Sequence, residues 1–156
     1  MPVQRIPEGY NTVTTYLAVD DAAKAIEFYK RAFGAKETVR MDAPGGKIGH
    51  AEIQIGDSVI MLADPFPQSS TKSPKELGGT AAAFFMYVED VDAAIQKAVD
   101  AGGTISMEPE DQFWGDRLGS VTDPQGHLWQ IATHIEDLTP EEMAERSKAA
   151  MAGIAG

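Results

Sequence analysis

A chain of 156 residues with 43% hydrophobic and 24% charged side chains is long enough to bury a core without a covalent staple, and its lack of cysteine excludes disulfides, thiolate metal ligands and thiol nucleophiles. Thirteen Lys and Arg against 24 Asp and Glu give a net charge of -11 with no cluster of cations, which excludes nucleic acid as a partner. No run approaches the roughly 18 consecutive apolar residues of a membrane span, and the segment before Thr14 has no apolar signal core, so a soluble, cytoplasmic protein is expected and no membrane partner.

Laid on itself with an offset of 69 residues, the chain repeats once. Tyr16-Leu17-Ala18-Val19-Asp20-Asp21 falls on Phe85-Met86-Tyr87-Val88-Glu89-Asp90, in each case a strand led by an aromatic and running into an acidic pair. Ala22, Ala25, Ile26 and Tyr29 then recur at i, i+3, i+4 and i+7, as do Val91, Ala94, Ile95 and Ala98, so each copy carries one amphipathic helix. Asp21 and Asp90 are placed to cap these helices, and Gly34 and Gly103 to end them in the left-handed conformation. Short β-prone runs follow at 36–41, 50–55 and 58–63, then at 104–107, 117–122 and 127–133. Gly56-Asp57 and Asp123-Pro124-Gln125-Gly126 are the turns of the corresponding hairpins. Residues 65–79, rich in Ser, Thr, Pro and Gly, connect the copies, either as a plain surface crossover or as a lid over a site. Thr139-Pro140-Glu141-Glu142 starts a helix in an Ala-rich tail, expected to lie at the periphery over 137–156.

A duplicated β-α-β-β-β order with DPQG before the last strand resembles the vicinal oxygen chelate superfamily, the glyoxalase, bleomycin-resistance and dioxygenase proteins. The strings HAEIQIGDSVIMLAD and FWGDRLGSVTDPQGHLWQIATH look like its PhnB-like branch. The resemblance implies an α+β fold of two tandem βαβββ units, about 10–65 and 80–136, within one domain over 1–136, with curved mixed sheets around a cleft and a homodimer as the assembly. In metal-dependent members, His and Glu ligands come from the first and last strands of each unit. Those places fall here at about Thr14, Met61, Ala83 and Gln130, which offer no imidazole or carboxylate. No resident metal is therefore expected, and lactoylglutathione lyase and extradiol dioxygenase activities lose their footing.

Other residues carry candidate chemistry. His50 and Glu52, two apart on a strand, share a face and suit a base with its orienting partner, or two ligands of a non-standard divalent metal such as Zn, Ni, Mg or Fe. A third ligand would have to come from Asp64, His127 or His134, whereas the plainer reading is a polar alternation facing solvent. Trp114 is suited to stacking on a planar ligand and Arg117 to holding a carboxylate or phosphate; alternatively Trp114 caps the core and Asp116 pairs with Arg117 to fix the loop. Gln130 facing inward puts Leu128 and Ala132 on its side, and His127, beside the turn, reads best as a hydrogen bond fixing that hairpin. Tyr16, Met61, Phe85 and Tyr87 complete the expected cleft wall. Two readings of function stay open: a protein that binds a small molecule in its cleft, favoured by the missing metal ligands, and a lyase or isomerase acting on a small oxygen-rich substrate through His50 and Glu52.

Overall fold

The structure is a computed structural model that describes residues 3–154; the first two residues and the last two of the predicted tail lie outside them. Two copies of one unit follow each other: β1 (Thr15–Ala18), α1 (Ala22–Phe33), β2 (Lys36–Ala43), β3 (Lys47–Ile55) and β4 (Ser58–Ala63), then, after a short helix α2 (Pro74–Leu77), β5 (Ala83–Tyr87), α3 (Val91–Asp100), β6 (Thr104–Asp111), β7 (Asp116–Thr122) and β8 (Leu128–His134). Each unit makes one four-stranded mixed sheet, ordered β1-β4-β3-β2 and β5-β8-β7-β6, in which the first and last strands of the unit run parallel. The architecture is the α+β fold of two tandem βαβββ units expected from the repeat. Among the described residues, no helix is long and apolar enough to cross a membrane.

Local chemistry starts and stops the helices as their sequences direct. Asp21 and Asp90 accept the backbone N–H groups of Lys24 and Ala93, each at 3.0 Å, satisfying donors that a first turn leaves without partners. Gly34 ends α1 at φ 66° and donates its N–H to the Lys30 carbonyl at 3.1 Å. The second helix ends differently from the expectation. Ala101 is its right-handed cap, and the positive φ (115°) belongs to Gly102. Gly103 is required instead by crowding, since a Cβ there would lie 2.6 Å from Val121 Cγ1 and 3.0 Å from the Ala98 carbonyl oxygen.

Strand alternation then decides what each sheet face meets. Leu17, Ala51, Ile53, Ile60 and Leu62 of the first sheet and Val121, Trp129 and Ile131 of the second turn one way and join Ala22, Ala25, Ile26, Tyr29, Val91, Ile95 and Ala98 in the core. The two units meet around a buried carboxylate. Asp123 Oδ2 accepts from Tyr29 Oη at 2.5 Å and from Trp129 Nε1 at 3.0 Å, while its Oδ1 receives the backbone N–H groups of Gln125 and His127. Burial and the Asp123 charge push the Tyr29 phenol well above its ordinary range, so it stays a donor. His127 does not fix its own turn through its ring; Nε2 reaches the Ala18 carbonyl oxygen at 2.8 Å and ties the second unit to β1. Gln125 Oε1 accepts from the backbone of Asp20 and Asp21, so the DPQG turn is also a clamp on the first unit.

The connection between units is anchored at its far end, where Ser73 Oγ donates to Asp20 Oδ1 at 2.6 Å and Pro74 is buried against Gly126. Beyond β8, Thr139 and Glu142 cap each other reciprocally at the start of α4 (Pro140–Ile154). Helix α4 buries no residue and is tied back by a two-pronged Arg146–Glu136 pair, both contacts 2.7 Å.

Candidate functional site

The sheet faces turned away from the helices carry the candidate residues. In the first unit, Tyr16, Met61 and Glu52 stand side by side across β1, β4 and β3, with His50 two residues back on β3. The predicted pairing of His50 with Glu52 is present: His50 Nε2 lies 3.0 Å from Glu52 Oε1. Two tyrosines extend it into a chain. Tyr10 Oη donates a short hydrogen bond to Glu52 Oε2, and Tyr16 Oη lies 2.9 Å from His50 Nδ1. Glu52 is only 7% exposed, yet the hydrogen bond from Tyr10, with a further one from His50, outweighs burial and holds its carboxyl below the usual range. Tyr16 is raised by burial and by the Glu52 charge.

In the second unit the matching row is Phe85, Gln130 and Ser120. Its polar cluster sits further along, at the start of β7. Asp116, 2% exposed, accepts from Tyr87 Oη and Trp114 Nε1 at 2.9 Å each and is joined to His134 Nδ1 at 2.8 Å. His134 Nε2 reaches Asp137 at 2.9 Å, and the hydrogen bonds that the imidazole gives to Asp116 and then Asp137 raise it above its ordinary value. Burial alone would raise Asp116, but the donors from His134, Tyr87 and Trp114 prevail and lower it.

Two expectations fail in this unit. Asp116 and Arg117 do not pair, because consecutive strand residues point to opposite faces. Arg117 lies on the helix side, where Nε meets Asp92 of α3 at 2.7 Å and Nη1 meets Asp111 at 3.0 Å. It is thus committed to two carboxylates away from Phe85 and Gln130. Trp114 neither caps the core nor stands free; its indole is fastened to Asp116.

Of the positions expected from metal-dependent relatives, Met61, Ala83 and Gln130 lie on β4, β5 and β8, with Met61 beside Tyr16 and Gln130 beside Phe85, whereas Thr14 precedes β1. Their donor set does not fit a divalent ion, and among the described residues no group of three or more His, Cys, Asp or Glu is placed to hold one. The proposed third ligands are engaged elsewhere. Asp64 receives the backbone N–H groups of Ala22 and Ile48, His127 holds Ala18, and His134 belongs to the Asp116 cluster.

Open space lies beside these faces. A cavity of about 800 Å³ separates β5 from the β3–β4 turn and is lined by Thr14, Val59, Phe85, Tyr87 and Trp129; it does not reach His50 or Glu52. A smaller one, about 160 Å³, lies under the connection between units, against Tyr16, Gly49 and Phe66. Tyr10 and Asp116 were missed as site residues. Nothing in the repeat points to Tyr10, which stands ahead of the strings that match between the copies, whereas the alternation along β7 puts Asp116 on the face of Leu118 and Ser120 and was sufficient to find it.

The profile of the Glyoxalase/Bleomycin resistance protein/Dioxygenase superfamily matches residues 10–131. The uncharacterized protein Mb0911c of Mycobacterium bovis is 42% identical over 134 residues, which is 84% of this chain and 88% of that protein. Among solved structures, the Arabidopsis thaliana At5g48480 gene product superposes with a TM-score of 0.66 at 28% identity, covering 79% of this chain and 98% of that one. TioX from Micromonospora sp. ML1 gives a TM-score of 0.62 at 27% identity, covering 83% and 100%.

Proposed function

The chain belongs to the Glyoxalase/Bleomycin resistance protein/Dioxygenase superfamily, and on that premise we propose that it is a PhnB-like member that binds a small organic molecule against the helix-free faces of its sheets, as a homodimer and without a resident metal. One observation carries this reading. Tyr16, Phe85 and Tyr87 leave 47%, 46% and 62% of their surface exposed on those faces, while Leu17, next to Tyr16, is buried in the core and Met86, between Phe85 and Tyr87, packs against it. Aromatic side chains arranged in open rows offer planar contact area to a ligand with few rotamers to freeze.

Titration with a panel of planar aromatic and oxygenated small molecules, followed by intrinsic fluorescence, tests it. At least one saturable ligand is expected, weakened about tenfold by Phe85→Ala or Tyr87→Ala, the loss of one stacked ring. Saturable ligands indifferent to both substitutions would remove the reading.

A second reading, a lyase or isomerase, is favoured by the His50–Glu52 pair, whose geometry is that of a base held by a carboxylate. It predicts exchange of a substrate carbon-bound proton with deuterated solvent, abolished in His50→Ala. The same preparations, purified without chelator, report whether a stoichiometric divalent ion is bound and lost in His50→Ala and Glu52→Ala.

A further inference from the structure

The chain of hydrogen bonds on the first sheet has a direction, and the direction decides what a ligand must bring. Glu52 has a donor on each oxygen, Tyr10 Oη on Oε2 and His50 on Oε1. An ionised carboxylate only accepts, so His50 Nε2 carries the ring proton. A neutral imidazole has one N–H, which leaves Nδ1 bare and an acceptor. The group 2.9 Å away is the Tyr16 hydroxyl, which therefore donates its only proton to His50. The Tyr16 oxygen, on a side chain 47% exposed, is left with lone pairs and no hydrogen to offer. Its neighbour across the strand, Met61, is at most a weak acceptor.

We propose that Tyr16 selects ligands bearing an N–H or O–H donor, an ammonium above all, and that Glu52 sets this selectivity from a distance by fixing the tautomer of His50. Glu52 and Tyr10 are positioning residues here; Tyr16 is the one that touches the ligand. The inference rests on the reading of these faces as a binding site for a small molecule. The depressed Glu52 carboxyl and the raised Tyr16 phenol agree with the assigned proton positions.

Glu52→Gln reverses the chain. Tyr10 still donates to the remaining oxygen at position 52, so the amide NH2 turns to His50, donates to Nε2 and moves the ring proton to Nδ1. His50 then donates to Tyr16, whose hydroxyl is released to donate outward. The tautomer is read in the free protein from the 15N shifts of the His50 ring at pH 8, above the ordinary imidazole range. A proton on Nε2 is expected in the unmodified protein and on Nδ1 in Glu52→Gln.

The selectivity is read with benzylammonium and benzyltrimethylammonium, which carry the same charge and differ in having a donor. Benzylammonium is expected to bind about tenfold more tightly, the size of one hydrogen bond to a charged donor. The preference should vanish in Tyr16→Phe, which removes only a hydroxyl from a half-exposed residue and so serves even where Glu52→Gln fails to fold. Equal binding of the two probes, or a proton on Nδ1 in the unmodified protein, overturns the proposal and leaves the binding site standing. No binding of either probe, with the expected tautomers present, overturns this selectivity, and the binding reading then stands or falls with the ligand panel.

Discussion

The two units agree on the face each sheet buries and disagree on the face each leaves open. At the repeat offset, Ile26 matches Ile95 and Leu62 matches Ile131, all of them buried in the common core. On the open side Tyr16 matches Phe85 and Met61 matches Gln130, and the strand registers put Glu52 opposite the place held by Ser120 and His50 opposite that of Leu118. A close-packed interior tolerates few changes of volume, so a helix lying on a sheet keeps both copies alike. A face with no helix on it is under no such demand. Duplication here has given one scaffold with two unlike polar clusters, Tyr10–Glu52–His50–Tyr16 and Tyr87–Asp116–His134, and the chemistry of one is no guide to the other.

The sharpest way to break the comparison is to remove what joins the two buried faces. Asp123 takes a phenol from the first unit and an indole from its own, both inside the core. Asp123→Ala leaves Tyr29 and Trp129 as buried donors without acceptors and frees the turn that clamps Asp20 and Asp21. About 4 kcal/mol of stability should be lost, from two such donors at roughly 2 kcal/mol each. Urea unfolding measures it; a loss under about 1 kcal/mol would mean the units do not depend on this junction.

That junction also shows where sequence reasoning reached and where it stopped. Helices and strands were legible because the 69-residue offset pairs each apolar period with a second copy of itself, and the shared face of His50 and Glu52 followed from a strand's period of two. Contacts between remote segments were not legible. Tyr10 meets Glu52 across 42 residues and His127 meets Ala18 across 109, and no local pattern encodes either. Arg117 was misplaced for an avoidable reason: starting the strand at 117 left Asp116 in the loop and hid that the two alternate on one strand.

A smaller effect sharpens the contrast between the buried faces themselves. Ala51 of β3 and Gly119 of β7 pair with the equivalent Leu62 and Ile131, and both face a helix. Ala51 is buried, but a Cβ on Gly119 would meet Ile95 Cδ1 as well as the Met107 carbonyl oxygen at 3.1 Å and the Pro109 nitrogen at 3.2 Å. Ile95 can turn aside; the backbone of β6 cannot. Gly119→Ala should therefore cost about 2 kcal/mol by overpacking, and Ala51→Gly about 1 kcal/mol through chain entropy and the lost methyl. A cost for Gly119→Ala no larger than that of Ala51→Gly would show that the β6 backbone yields to the added methyl.

The smallest effects concern the two open faces and have opposite signs with pH. Glu52 has a folded-state pKa below its unfolded value, so its stabilisation is complete above the ordinary glutamate range near 4.3 and is lost as pH falls through the folded value. His134 has a folded-state pKa above its unfolded value, so its contribution is complete below the ordinary histidine value near 6.5 and is lost as pH rises through the folded one. Unfolding midpoints measured from pH 3 to 9 should therefore lose their acid-side fall in part with Glu52→Gln, whereas Asp116→Asn should flatten the alkaline side and return His134 to a lower titration point, followed by NMR. Because His134 is half exposed, with water ready to replace Asp137, its slope should be the shallower of the two. An unchanged His134 titration in Asp116→Asn would show that the exposed Asp137, and not the buried carboxylate, governs it, and the likeness between the two carboxylate-centred clusters would then be one of appearance.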